Sequence, residues 1–161
     1  MPIPIDFAKL APQDILDIAA FIEHEAQERY EVFAVHLETQ GDRETARFFR
    51  TMAQLEATHG AQVEGRRVAR FADLPGHIRD VVEWDVEGPP LDRSQGSFTA
   101  EEALDLALAS EVRAREFFAG AQQFMVDPQT AAMLAELHRD EVGHIRMLEE
   151  QKARLVAPLR G

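Results

Sequence analysis

Apolar residues recur at helical spacing along four separate segments of the chain. In the first segment Ile15, Leu16, Ala19, Ile22 and Ala26 lie three or four positions apart, as they would on one face of an α-helix. Proline and aspartate suited to helix starts, and glycine suited to a helix end, mark the segment boundaries. The pattern predicts four helices, over about residues 12–40, 42–70, 99–125 and 128–155.

A long connection separates the second and third predicted helices. Residues 71–98 are rich in proline and glycine and exceed the usual helix–helix loop, whereas the other two connections are short. This arrangement predicts two antiparallel helix hairpins joined by a long crossover, which is one form of the four-helix bundle. We therefore expect one all-α domain over residues 1–161, with a short helix near residues 75–82 of the crossover.

A spacing of three residues between Glu and His occurs twice within the apolar faces. Glu56 and His59 share one turn of the second helix, and Glu141 and His144 repeat the spacing on the fourth. Residues i and i+3 lie on one helix face, so each turn offers a carboxylate and an imidazole in the same direction. One copy alone would suggest a surface pair, but two copies in buried faces predict a metal site.

A lone glutamate on the preceding helix precedes each pair. Glu23 lies 33 residues before Glu56, and Glu111 lies 30 residues before Glu141. When the halves of the chain are aligned on these residues, apolar positions match apolar positions along both helix pairs. An internal duplication explains this agreement.

The charge of the predicted core identifies what the site holds. Four unpaired carboxylates in one core would each cost several kcal/mol through desolvation and repulsion. Two divalent cations balance four carboxylates, and neutral imidazoles complete an oxygen and nitrogen ligand set that suits iron or manganese. The chain has no cysteine for a thiolate site. We predict two iron ions, with manganese as the alternative, bound by Glu23, Glu56, His59, Glu111, Glu141 and His144.

The doubled motif with its two preceding glutamates resembles the ferritin-like di-iron carboxylate superfamily, rubrerythrin-type domains above all and bacterioferritins next. The resemblance extends over all four helices and implies a ferritin-like four-helix bundle. It also implies the role of each ligand: Glu56 and Glu141 bridge the metals, Glu23 and Glu111 are terminal, and His59 and His144 each cap one ion.

The resemblance implies an oxidoreductase in which Fe(II) reacts with peroxide or dioxygen, as in rubrerythrin-like peroxide detoxification. Because the chain has no cysteine, it lacks the rubredoxin iron site, and a separate electron donor protein is expected. Ala114 stands where rubrerythrins have an extra metal-binding Glu, and Ala57 where bacterioferritins have a haem-binding Met. The alternatives are a bacterioferritin-type ferroxidase or iron-storage protein, and a metal-free helical interaction module.

Two residues outside the ligand set are candidates for roles beside the metals. Tyr30 lies two turns from Glu23, where the resemblance suggests a hydroxyl bonded to a ligand carboxylate; a satisfied core tyrosine is the alternative. Arg115 lies one turn beyond Glu111 and would orient a ligand or a bound peroxide, or would extend its stem towards solvent. Asp140 could hold the free N–H of a ligating imidazole, or lie solvated at the flank.

Composition restricts the expected partners. A net charge of −12 argues against nucleic acid, whose phosphates attract clustered cations. No apolar run is as long as a membrane span, and the first residues lack the features of a signal peptide. We therefore expect a cytoplasmic protein without membrane contact, and a homodimer paired through outer helix faces.

Overall fold

Four long helices make up the bundle in the computed structural model, which describes residues 6–76 and 98–156. Those two ranges contain no β-strand, which confirms the predicted all-α class, and none of their helices is long and apolar enough to cross a membrane. The short helix predicted near residues 75–82 lies, apart from its first two positions, outside the described residues. The helices are α1 (Pro12–Thr39), α2 (Arg43–Phe71), α3 (Ala100–Phe124) and α4 (Pro128–Val156), preceded by a 3-10 turn at Phe7–Lys9.

Side-chain caps set the points at which three of the helices begin. Asp42, Thr99 and Asp127 each accept a hydrogen bond from the backbone N–H three residues later, at 3.1, 3.1 and 3.0 Å. Each bond satisfies a donor that has no partner within the helix. Gly41, with φ of 88°, closes the turn between α1 and α2 in a left-handed conformation that glycine adopts without strain.

Two apolar clusters fill opposite ends of the bundle. One gathers around Phe118 and Leu134, and includes residues from the start of α1 and the end of α3. The other gathers around Phe33 and Phe49, whose ring centroids lie 5.2 Å apart. Between the two clusters the inward face of every helix carries a carboxylate. The packing therefore encloses these acidic side chains with apolar material above and below them.

Candidate metal centre

The six predicted ligands converge in the middle of the bundle, one or two from each helix. Apolar residues three and four positions away lie on the same helix faces, and their burial directs these faces into the core. Five of the six are buried, and the side chain of His59 is 16% exposed. The six are Glu23, Glu56, His59, Glu111, Glu141 and His144.

Their ligating atoms form two groups that have one residue in common. Within each group the nitrogen and oxygen atoms lie within 4.8 Å of one another. Because Glu56 belongs to both, its two carboxylate oxygens can face two cations at once. Glu141, for which the resemblance implied a second bridging role, falls in one group. The first group is Glu56, Glu111, Glu141 and His144; the second is Glu23, Glu56 and His59.

Three carboxylates surround one imidazole nitrogen in the first group. The Nδ1 atom of His144 lies 2.8 Å from Oε1 of Glu56 and 3.6 Å from Oε1 of Glu111. It lies 3.7 Å from Oε2 of Glu141 in its own helix turn. None of these approaches meets the geometry of a hydrogen bond, and Nδ1 has no hydrogen-bond partner among the described residues. The atoms therefore point towards a common centre rather than at one another.

The second group is supported from outside by a residue of the other hairpin. Nδ1 of His59 lies 3.9 Å from Oε2 of Glu23, while its Nε2 lies 3.6 Å from Oδ2 of Asp140 on α4. The rings of His59 and His144 stack with centroids 5.3 Å apart and planes 15° from parallel. A carboxylate behind an imidazole sets the tautomer and the orientation of the ring, so that its other nitrogen faces inward.

Several buried polar atoms at this centre have no hydrogen-bond partner among the described residues. They include both carboxylate oxygens of Glu23 and of Glu56, Oε2 of Glu141, and Nδ1 of His59 and of His144. Each such atom costs about 1–3 kcal/mol, and native proteins contain few of them. A divalent cation in each of the two groups would give these atoms a partner. The donor set therefore fits a two-cation site of oxygen and nitrogen ligands.

Tyr30 lies beside the centre without belonging to either ligand group. Its buried hydroxyl donates to Oε1 of Glu111. Burial, followed by the negative charge of Glu111, raises the pKa of Tyr30 well above its usual value, so the hydroxyl keeps its proton. Burial alone would raise the pKa of Glu111, but the neighbouring Glu141 carboxyl group, the positive charge of His144 and the hydrogen bond from Tyr30 lower it to about 2. Glu111 is thus held ionised.

The remaining carboxyl groups keep their protons to a higher pH than usual when no metal is bound. Burial raises the pKa of Glu23 to about 6. Burial and the repulsion of Glu23 raise the pKa of Glu56 well above its usual value, and burial and the charge of Glu111 do the same for Glu141. Burial alone would lower the pKa of His144, but the nearby carboxyl groups of Glu111 and Glu141 raise it to about 10. Protons therefore occupy the positions that cations would neutralise.

The metal-free protein is expected to become less stable as the pH rises from about 5.5 to about 8.5. The folded-state pKa values of Glu23, about 6, and of His144, about 10, both exceed the usual values of 4.5 and 6.5. These two groups therefore bind more protons in the folded state than in the unfolded state across this range, and losing them disfavours the folded state, while the pKa of His59, lowered by burial, acts in the opposite direction. Over this range Glu23 alone accounts for roughly 1 kcal/mol, because about half of the effect of its raised pKa falls below pH 5.5. The low pKa of Glu111 acts in the opposite direction only in more acidic solution.

Melting temperatures of chelator-treated protein at the two pH values measure this dependence. Glu23→Gln, which cannot titrate, should reduce the difference, whereas the exposed Glu28→Gln on the same helix should leave it unchanged. A melting temperature that is higher at pH 8.5 than at pH 5.5 would contradict the raised pKa values of Glu23 and His144.

Arg115 is partly buried on α3, and no ion pair or hydrogen bond joins it to the centre within the described part of the chain. A second arginine, Arg29, is buried on α1 beside Tyr30, and sequence reasoning gave it no role. Glu28 before it is exposed and Tyr30 after it is buried, so the hydrophobic pattern around Arg29 does not predict that it is buried.

The family model described as Rubrerythrin matches residues 14–152. An uncharacterized conserved protein from Magnetospirillum magnetotacticum is 27% identical with a TM-score of 0.73, over 88% of this chain and 93% of that chain. The bacterioferritin of Rhodobacter capsulatus, described with a metal-free dinuclear site and haem iron, is 22% identical with a TM-score of 0.68, over 88% of this chain and 83% of that one.

Mycobacterium tuberculosis bacterioferritin is 19% identical with a TM-score of 0.63, over 94% of this chain and 86% of that chain. No curated protein matches the sequence. The two bacterioferritins, each under 25% identical, bear on the fold alone. Together these likenesses confirm the predicted ferritin-like four-helix bundle.

Proposed function

Because this chain belongs to the rubrerythrin family, we propose that it is a di-iron oxidoreductase in which Fe(II) reacts with hydrogen peroxide or dioxygen. The observation that carries the proposal is the position of Glu56, which is common to both ligand groups. A carboxylate shared in this way suits two ions close enough to act on one oxidant together.

The ligands divide between the two ions according to their groups. Glu23 and His59 would hold one iron, Glu111, Glu141 and His144 the other, and Glu56 would bridge them. Manganese would suit the same donors, because carboxylates and imidazoles bind both metals. The unpaired buried atoms of these side chains support the assignment, since metal binding would satisfy them.

Reduction of one hydrogen peroxide breaks its O–O bond, consumes two electrons and two protons, and releases two water molecules. Two bound Fe(II) ions would supply those electrons, one each. A separate donor protein would then return them, because the chain has no cysteine from which to build its own electron-transfer iron site. The chain itself orients the ligands: Tyr30 holds Glu111 by a hydrogen bond, and Asp140 lies behind His59.

A small cleft between α2 and α4 supports His59 as the point of entry for the oxidant. His59 and Asp140 line it from the inside, with Gln62, Arg66 and Glu136 nearer the surface. Arg66 and Glu136 form an exposed ion pair of 3.1 Å across it. Of the six ligands, His59 is the one whose side chain is partly exposed, so small oxidants would meet its iron first.

Anaerobic loading followed by a single turnover tests the proposal. The protein should bind close to two Fe(II) per chain, and one equivalent of hydrogen peroxide should oxidise both. Repeating the single turnover with oxygenated buffer in place of peroxide shows which oxidant reacts faster with the bound Fe(II). Protein that binds no Fe(II), or whose Fe(II) is oxidised no faster than free Fe(II), would contradict the proposal.

A ferroxidase or iron-storage role of the bacterioferritin type is the second candidate, favoured by the structural likeness to two bacterioferritins. Particle size separates the candidates, because a storage shell is far larger than the homodimer that we propose. A storage protein would also retain many iron ions per chain after repeated additions of Fe(II) and oxidant, whereas a rubrerythrin-type enzyme would stay near two.

Tyr30→Phe is expected to retain both iron ions but to slow their oxidation by about tenfold, within the range for partners beside a metal ligand. The substitution keeps the buried ring and removes the hydroxyl that donates to Glu111. Stability should fall by about 1 kcal/mol, the usual net value of a buried hydrogen bond. Stopped-flow absorbance and urea denaturation measure the two effects, and an unchanged oxidation rate would show that Tyr30 acts only in packing.

A further inference from the structure

We propose that a second cleft between α2 and α4, separate from the metal centre, binds an organic anion through two arginines and a buried amide. Gln151 lies two turns beyond His144, about 10 Å along the helix axis. The cleft is therefore at the end of the bundle where α2 begins and α4 ends. Its lining residues are Glu44, Arg47, Phe48 and Thr51 of α2, and Gln151 and Arg154 of α4.

The floor of this cleft contains a hydrogen-bond donor without an acceptor. The side chain of Gln151 is 5% exposed, and its amide nitrogen Nε2 has no hydrogen-bond partner among the described residues. Buried amide donors in native proteins are nearly always paired. Gln151 lines the cleft but its Nε2 atom is covered, so a small rotation of the side chain would let Nε2 donate to an oxygen atom of a bound molecule. This unpaired donor is the observation that indicates a ligand.

Two guanidinium groups at the cleft are also unused. Arg47 and Arg154 are exposed, and neither forms an ion pair with any residue in the described ranges. Other arginines of α2 are engaged: Arg50, Arg67 and Arg70 each contact a carboxylate on another element or at a helix start. The two guanidinium groups line the same cleft from different helices, so both could contact one bound ligand.

The lining also indicates the chemical class of the ligand. Two guanidinium groups against the single carboxylate of Glu44 make the cleft positive, in a chain whose net charge is −12. Guanidinium groups bind carboxylates and phosphates through paired hydrogen bonds. The cleft has a volume of about 630 Å³, more than an inorganic ion fills, and Phe48 provides an apolar wall. We therefore expect a small molecule with a phosphate or carboxylate at one end and an apolar portion at the other.

Calorimetric titration with phenyl phosphate tests this site in the full chain. The wild-type protein should bind one molecule saturably, inorganic phosphate should bind more weakly, and phenol should not bind. Arg47→Gln and Arg154→Gln should each weaken binding about tenfold, because each removes a charge-assisted contact. Arg43→Gln on α2 and Arg146→Gln on α4 are matched controls, exposed and outside the cleft, and should change affinity by less than about twofold.

The buried amide is tested separately. Gln151→Leu should weaken phenyl phosphate binding about fivefold, as expected for the loss of one hydrogen bond. In the wild-type protein the side-chain amide resonance of Gln151 should shift on titration, which tests the contact without a substitution. Absence of saturable binding, equal losses in the control variants, or an unmoved Gln151 resonance would each overturn the proposal. Iron stoichiometry should be the same in all these variants, so the result is independent of the metal centre.

Discussion

Glu56→Ala is expected to lower Fe(II) binding from about two ions per chain to less than one, and to abolish rapid oxidation by peroxide. Glu56 belongs to both ligand groups, so its loss removes a ligand from each ion and the only carboxylate common to both groups. The rate should fall by more than the roughly 10–100-fold loss caused by mutating a residue beside the ligand shell. Anaerobic Fe(II) titration and stopped-flow oxidation measure the two effects.

The metal-free stability of the same variant distinguishes lost binding from lost folding. Burial and the repulsion of Glu23 raise the pKa of Glu56, and both its carboxylate oxygens lack partners. Removing such a group should leave the metal-free protein folded, with little or no loss of stability at neutral pH. The exposed Glu149→Ala on α4 is the control and should bind two Fe(II). Two Fe(II) retained by Glu56→Ala would contradict the ligand assignment.

Mn(II) is expected to raise the melting temperature of chelator-treated protein by roughly 10–20 °C at neutral pH. At a hundred times its dissociation constant, a bound ligand stabilises the folded state by about 2.7 kcal/mol per site. Two sites would contribute about 5 kcal/mol, and each kcal/mol corresponds to about 2–4 °C in a domain of this size. Mn(II) suits the measurement because it fits the same donors without reacting readily with oxygen.

Mg(II) and Glu56→Ala serve as controls for this stabilisation. Mg(II) prefers water and oxygen ligands in strict octahedral geometry, so it should raise the melting temperature much less than Mn(II). Glu56→Ala should lose most of the Mn(II) effect. Identical melting of the wild-type protein with and without Mn(II) or Fe(II) would instead favour the metal-free helical interaction module.

Local spacing was sufficient to predict the helices and the inward direction of the candidate ligands. Ile22 and Ala26 flank Glu23 at helical spacing, and in the structure all three are buried. The same reasoning applies to Glu111 between Ala107 and Ala114. Each prediction depended only on which face of one helix is apolar, and this is a property of a short stretch of sequence.

Contacts between helices could not be predicted in this way. His144 lies closer to Glu56 on α2, at 2.8 Å, than to Glu141 in its own turn, at 3.7 Å. Asp140 faces His59 of the other hairpin. These approaches depend on how far each helix is rotated and how the hairpins cross, which no local pattern encodes.

The internal duplication also suggested more symmetry than the centre has. The position that corresponds to Asp140 in the first half is Leu55, and the position that corresponds to Tyr30 in the second half is Phe118. The carboxylate of Asp140 beside His59 therefore has no counterpart at the matching position beside His144. The hydroxyl of Tyr30 that donates to Glu111 likewise has no counterpart at the matching position beside Glu23. If both groups bind metal as proposed, the two ions should accordingly differ in reactivity.

The first ligand group draws its members from both hairpins. Glu56 comes from the hairpin of α1 and α2, whereas Glu111 and His144 come from that of α3 and α4. An ion bound there would hold together distant parts of the chain in the folded state alone, so its binding free energy adds to the free energy of unfolding. In a protein without cysteine, bound metal would thus be the cross-link between the hairpins. Its removal should make the protein more susceptible to proteolysis well below the melting temperature.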